Sequence, residues 1–411
     1  MLRILSVVSL TFLLLAPRGL VGVQEVLPRV SPAAVGLSPQ GLSEVTDLLT
    51  RFVQEQQISG AVAGVARHGQ LAFVEAVGYQ DLETETAMTE RSLFRIYSMS
   101  KTVTATAVMM LYEEGRFELD DPVSKYLPEF AEVRVVQAEG APARPPVRPI
   151  TVRDLLLHTS GLSHRTSALY QEARVRSRAI PMSKFIQNIV AAPLMEDPGT
   201  VYRYSAAPTV LGGLLEVWSG QPLDQLLQQR IFGPLGMADT GFWVEPERSD
   251  RLTTVYRKTD GGGLTPHQIE EVPFPERPEL LEGAVGLVST VPDFMRFSQM
   301  LLNDGELGGV RLLKKETVDM ITSNGLSDAV LARKGNGIGW GLANVNVVLD
   351  PSTVPYPTSL GEYERGGSAG TSSWINPSED LVIVLMWQNS PSNPDSLKQR
   401  VKTLVHESLL D

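Results

Sequence analysis

The sequence predicts an α/β protein: a sheet built from both chain ends with flanking helices, plus a middle, mostly helical domain. Three observations carry this. Strand-like apolar runs cluster near the start, at 61–66 and 71–77, and near the end, at 337–347, 372–376 and 381–388. Amphipathic helical spacing accompanies them at both ends. Helix and loop patterns dominate between. The chain has 411 residues, 43% of them hydrophobic, enough for a sizeable core.

Composition excludes several function classes. The net charge of −11 argues against nucleic acid or an anionic membrane as partner. There is no cysteine, which excludes disulfides, thiolate metal sites and lipid attachment at a processed N-terminal cysteine. Residues 1–23 read as a secretory signal peptide. Arg3 supplies the positive start, and residues 4–16 form an apolar run too short for a comfortable membrane span. Cleavage there makes the protein secreted or periplasmic; retention would make the segment an anchor.

Leu42, Val45, Leu48, Leu49, Phe52 and Val53 recur at helical spacing, predicting an amphipathic helix over 42–57. His68-Gly69-Gln70 is a short turn joining the first two strand runs into a hairpin, with His68 a turn residue. From Met99 to Tyr112 the only charge is Lys101, so this helix is apolar or small on every face and is buried. Gly115 suits a left-handed C-cap.

Residues 139–149 are proline-rich and exposed. Thr151 and Asp154 make a capping-box variant starting a helix that stops before Gly161; His158 at its end reads as structural. Arg165, Arg174, Arg176 and Arg178 read as a solvated face, or as the rim of an entrance attracting anions. Residues 257–280 read as a loop long enough to act as a lid. Thr290 and Asp293 cap another helix, burying Phe294, Phe297 and Leu301. Asn393-Pro394-Asp395 opens the last one, with Leu397, Val401, Leu404 and Val405 on one face.

The chemistry centres on Ser98 and Lys101. Three residues apart on a helix, they share one face. A desolvated lysine has a lowered pKa and serves as a base, and a serine beside it at a helix start has the parts of an activated nucleophile. Taken alone, the pair better fits a lysine reaching solvent from the first turn beside an N-cap serine. Tyr204, in Tyr202-Arg203-Tyr204-Ser205-Ala206, is a candidate proton shuttle, since a nearby cation lowers a phenol pKa. Gly366-Gly367-Ser368-Ala369-Gly370 contains G-x-S-x-G, but a strand-like run follows it where a nucleophile elbow needs a helix. Its glycines suit a strand edge where backbone approaches a ligand and offers a free N–H.

Ser98-Met99-Ser100-Lys101, Tyr204-Ser205-Ala206 and Arg365-Gly366-Gly367 stand in the order and spacing of the three motifs of serine β-lactamases and penicillin-binding proteins. The chain resembles their class C-like branch, most of all the family VIII carboxylesterases, from about residue 32 to the end. The resemblance implies a β-lactamase-like fold with an antiparallel sheet. Its α/β part spans about 32–90 and 285–411, and its helical part about 91–284. It further implies Ser98 as the acylated nucleophile, Lys101 in the proton network and Tyr204 as general base, then acid. The backbone N–H groups of Ser98 and Ser368 form the oxyanion hole, and no metal or cofactor takes part.

Two departures narrow the substrate. The second motif ends in Ala206 where β-lactamases carry Asn, so it cannot hydrogen-bond a substrate amide. The third is Arg365-Gly366-Gly367 rather than Lys-Thr-Gly, with Arg365 able to hold a substrate carboxylate. Both favour carboxylic esters over β-lactams or D-amino-acid peptides, the alternative substrates for the same site. A catalytically silent binding protein would not require Ser98, Lys101 and Tyr204 together.

Overall fold

Both ends of the chain feed one antiparallel sheet. The computed structural model describes residues 26–137, 142–164, 167–335, 337–391 and 396–410. The expected signal (1–23), Arg165, part of the proline-rich stretch and Asn393-Pro394-Asp395 lie outside the described residues. From the N-terminal side come β1 (Gly60–Arg67), β2 (Gln70–Asp81) and β3 (Thr86–Ala87). From the C-terminal side come β4 (Ile338–Gly341), β5 (Val345–Val348), β6 (Tyr363–Gly367), β7 (Thr371–Asn376) and β8 (Leu381–Trp387).

The order is β4-β5-β6-β7-β8-β1-β2-β3. The two ends meet where β1 pairs with β8, from Ala61 opposite Trp387 to Arg67 opposite Leu381. The β1–β2 turn has His68 at φ +54° and Gly69 at φ +68°, the left-handed pair that a two-residue hairpin loop needs. The run at 337–347, read from sequence as one strand, is a hairpin, with Asn344 at φ +60° in its turn.

The helices that position the site are α1 (Pro39–Gln54), α2 (Ser100–Glu113), α3 (Val152–Leu156), α4 (Met182–Ala191), α5 (Ala207–Ser219), α6 (Val291–Leu302) and α7 (Leu397–Glu407). Side chains alternate across the sheet. Ala61, Ala63 and Val65 of β1 join Ile383, Leu385 and Trp387 of β8 in a core with Leu49 and Phe52 of α1 and Val401 and Val405 of α7. The opposite set, Val62, Val382, Val384 and Met386, packs into the larger core with Val291 and Phe294 of α6. Buried on every side from Ser100 to Leu111, α2 runs through that larger core. The predicted cap at Thr151 is a full capping box with Asp154, and Gly115 adopts φ +70° just past α2.

Two expectations for the middle of the chain change. Arg174 is exposed, but Arg178 is fully buried, 3.9 Å from the centre of the Phe274 ring, and Arg176 turns inward onto Glu270 and Glu282. Buried partners in distant segments convert this face from solvated to internal. The stretch 257–280, expected as continuous loop, is partly ordered into strands, and most of its residues are exposed or half-buried. It carries a hairpin, Tyr256–Lys258 with Leu264–Pro266, then the buried side chains of Glu270 and Phe274. Among the described residues, no helix is long and apolar enough to cross a membrane.

Candidate active site

Tyr97–Met99 is a single 3₁₀ turn running into α2, and Ser98 sits at its centre. Tyr97 is buried with φ +41°, a left-handed value that costs a non-glycine residue about 1 kcal/mol or more. Surrounding contacts hold it. The Ile96 N–H donates to the Leu287 carbonyl at 3.0 Å, and the Leu287 N–H donates to Ser100 Oγ at 3.1 Å. Thr104 Oγ1 donates to the Gly283 carbonyl at 2.8 Å, so 283–287 is laced along the start of α2. The other side is β6. A Cβ on Gly367 would drive into the Ile96 carbonyl and Thr371 Oγ1, so only glycine lets β6 lie this close to the Ser98 turn.

Around Ser98 Oγ, Lys101 Nζ lies at 3.2 Å and the Tyr204 hydroxyl at 2.8 Å, each placed to donate. One helical turn separates Ser98 from Lys101. Tyr204 arrives from the segment that caps α5, 106 residues further along. Lys101 Nζ also donates to the Ala284 carbonyl at 2.7 Å. Burial, outweighing the pull of Tyr204 and helped by Arg365, lowers the Lys101 ammonium to about 8. Burial raises the Tyr204 phenol, but the Arg365 and Lys101 charges outweigh it and bring Tyr204 down to about 8. Two groups that exchange protons near neutral pH therefore flank one hydroxyl.

Arg365 on β6 is buried at this site. Its Nε donates to the Ser98 carbonyl at 3.0 Å and its Nη2 to the Tyr204 hydroxyl, and it lies over the Tyr204 and Trp340 rings at 4.9 and 5.3 Å. Two of its three guanidinium nitrogens are thereby directed at the nucleophile turn and the phenol. β6 differs from the edge strand expected. It is an inner strand, but β5 pairs only with Tyr363 and Glu364, so Arg365, Gly366 and Gly367 run on beyond it. His158 is structural as read. Fully buried, with φ +55°, it accepts from the Ser205 N–H at 3.2 Å, and its ring lies 4.8 Å from that of Tyr204. Burial, then Lys101 and Arg365, hold its pKa well below the usual histidine range, so it stays neutral.

A cavity of about 130 Å³ opens on these groups. Ser98, Lys101, Tyr204, Ala206 and Ser368 line it, so the structure gathers these predicted site residues around one space. Arg365, Gly366 and Gly367 are not among its lining residues and lie on β6, next to the Ser98 turn. Sequence reading missed Phe185, Thr209, Ala284 and Val285 on its walls, and the pairing of Arg176, weighed there only as a solvated charge or an entrance rim, with Glu282. The only sequence signal for the last two is charge inside otherwise loop-like stretches, which carries no sign of pairing. Among the described residues, no cluster of side chains is arranged to hold a metal ion.

Fold and site together place the protein among the serine hydrolases built on the β-lactamase fold. The family follows from direct comparison: the Beta-lactamase family model matches residues 45–406, and the chain belongs to that family. It is 35% identical over 350 residues to an uncharacterized protein of Mycobacterium tuberculosis, covering 81% of this chain and 86% of that one. It is 30% identical to the esterase EstB of Burkholderia gladioli, covering 87% and 93%. Among solved structures it resembles EstCE1, described as a hydrolase with promiscuous acyltransferase activity. The TM-score is 0.77 at 26% identity, over 90% of this chain and 99% of that one.

Proposed function

We propose that the protein is an exported esterase that cleaves small carboxylic esters through an acyl-enzyme on Ser98. The observation that carries the reading is the convergence of the Tyr204 hydroxyl and Lys101 Nζ on Ser98 Oγ. In the reactive form Tyr204 is a phenolate held by Arg365 and Lys101. It takes the Ser98 proton as Oγ bonds to the ester carbon. The oxyanion forms against the backbone N–H groups of Ser98 and Ser368, each such donor supplying roughly 3 kcal/mol. The C–O bond then breaks, and Tyr204 returns the proton to the departing alkoxide. Water completes the cycle: Tyr204 takes its proton, the hydroxide attacks the acyl carbon, and the proton passes to Ser98 Oγ as the acid leaves.

Ester rather than amide substrates are supported by Ala206 on the cavity wall, which offers no side-chain hydrogen bond, and by the likeness to EstB and EstCE1. Residues 32–411 are the catalytic domain, and 1–23 the signal removed on export. The test offers p-nitrophenyl butanoate and a chromogenic cephalosporin side by side to protein recovered from the medium or periplasm. Ester turnover that disappears in Ser98→Ala, with little cephalosporin turnover, is expected. Its N-terminus should begin near residue 24. Dominant cephalosporin turnover would move the enzyme to β-lactam chemistry, and an intact Met1 would remove the export reading.

A further inference from the structure

Arg176 lines two cavities at once. One is the 130 Å³ space containing Ser98. The other is a groove of about 600 Å³, lined also by Tyr170, Val175, Ile180 and Lys184. The side chain between them is fixed from two directions. Its Nε donates to Glu282 Oε1 at 2.6 Å and its Nη2 to Glu282 Oε2 at 3.0 Å; Nη2 also reaches Glu270 Oε2 at 3.0 Å. The glutamate side chains are only 2% and 7% exposed. Swinging Arg176 aside would leave two buried carboxylates without their cation, which opposes any such motion. Glu282 is itself anchored, because Gly283 and Ala284 carry the carbonyls that bind Thr104 and Lys101 of α2.

We infer that Arg176, clamped by Glu270 and Glu282, is the partition that closes the acyl cavity and limits this enzyme to esters of short acids. The inference rests on the esterase reading for its substrate. The acyl group stays covalently on Ser98 while the alcohol leaves, so the acyl chain must be housed beside Ser98 through the intermediate. Phe185, Ala206 and Val285 give that space apolar walls, and Arg176 with Glu282 gives it a charged end. A cavity near 150 Å³ holds a guest about the size of benzene, so this one takes an acetyl to butanoyl group. A longer alkyl chain would have to press methylenes against paired charges that cannot yield. Behind the partition lies room for such a chain, in the 600 Å³ groove.

The test compares wild type with two neutralised variants, Arg176→Ala/Glu270→Gln/Glu282→Gln and Arg176→Met/Glu270→Gln/Glu282→Gln. They remove the same charges and differ only in the bulk left at position 176. The readout is the kcat/KM ratio of p-nitrophenyl octanoate to butanoate. The Ala variant should raise this ratio by about tenfold or more, the discrimination that pocket length gives, and the Met variant should leave it near the wild-type value. An equal ratio in all three, or wild type taking octanoate as readily as butanoate, overturns the partition. A second measurement needs no variant and no ester turnover: the rate at which methyl- and octyl-phosphonofluoridates label Ser98 of wild type, read by intact mass. Octyl labelling slower by about tenfold or more supports the partition; equal rates overturn it. Selective labelling in a protein that turns over no ester would sink the ester reading and leave the partition standing.

Discussion

At Ser98 the chemistry depends on where the hydroxyl proton goes, and Tyr204 and Lys101 are the two candidates within 3.2 Å. Both lie near pH 8 and are in contact, so the pair titrates together. On the proposed mechanism the reactive form needs a phenolate on Tyr204, which is scarce below pH 8. Activity on a neutral ester should therefore rise about tenfold per pH unit up to about 8 and then level off. Arg365 is the strongest influence lowering Tyr204. Arg365→Gln should shift that rising limb to higher pH, measured as kcat/KM against pH; an unmoved limb would show that Arg365 does not tune the phenol. Tyr204→Phe should lose about 10²- to 10⁴-fold in kcat with Ser98 still present.

Among the elements, β6 and the Ser98 turn are bound by the absence of a side chain. Gly367→Ala would push a methyl into the Ile96 carbonyl, whereas the nearest atom to a methyl on Gly366 is Lys398 Nζ at 3.0 Å, the movable end of a long side chain. Gly367→Ala should cost about 1–3 kcal/mol in urea unfolding and slow Ser98 acylation, and Gly366→Ala should cost less. Equal tolerance at both positions would contradict the close approach. Much of this level was legible in the sequence. The run after Ser98, charged only at Lys101, announced a buried helix, Thr151 and Asp154 a cap, and His68-Gly69 a hairpin turn. Ser98, Lys101, Tyr204 and Ala206 were legible because each stands in a short local motif. Arg176 was not, since its partners lie 94 and 106 residues away and an unpaired reading makes it a surface charge. The Ala284 carbonyl was invisible for another reason: a backbone acceptor carries no residue signature. Nor did local sequence reveal that Arg365 bonds the Tyr204 phenol, which depends on how β6 crosses the Ser98 turn.

For the molecule as a whole, the closing of the sheet by both chain ends ties the site to distant packing. α1 and α7 cover the face of β1 and β8 opposite α6, and Leu49 is fully buried there. Leu49→Ala should lower stability by about 2–5 kcal/mol, read from urea unfolding, while kcat/KM in native buffer stays unchanged. Loss of activity without loss of stability would mean that this face does more than support the fold. The charged wall formed by Arg176 and Glu282, with Glu270 bracing Arg176 from outside the cavity, joins the 163–183 and 267–285 stretches, so the proposed limit on substrate size rests on contacts between segments remote in the chain.

The central claim is that Ser98 is acylated and released with help from Tyr204 and Lys101. Rapid mixing with p-nitrophenyl butanoate, followed by acid quench and peptide mass analysis, tests it most directly. The account predicts a burst of p-nitrophenol and a butanoyl group on the peptide containing Ser98. It also predicts that both are absent in Ser98→Ala. Steady ester turnover that survives in Ser98→Ala, or an acyl group found on another residue, would contradict it.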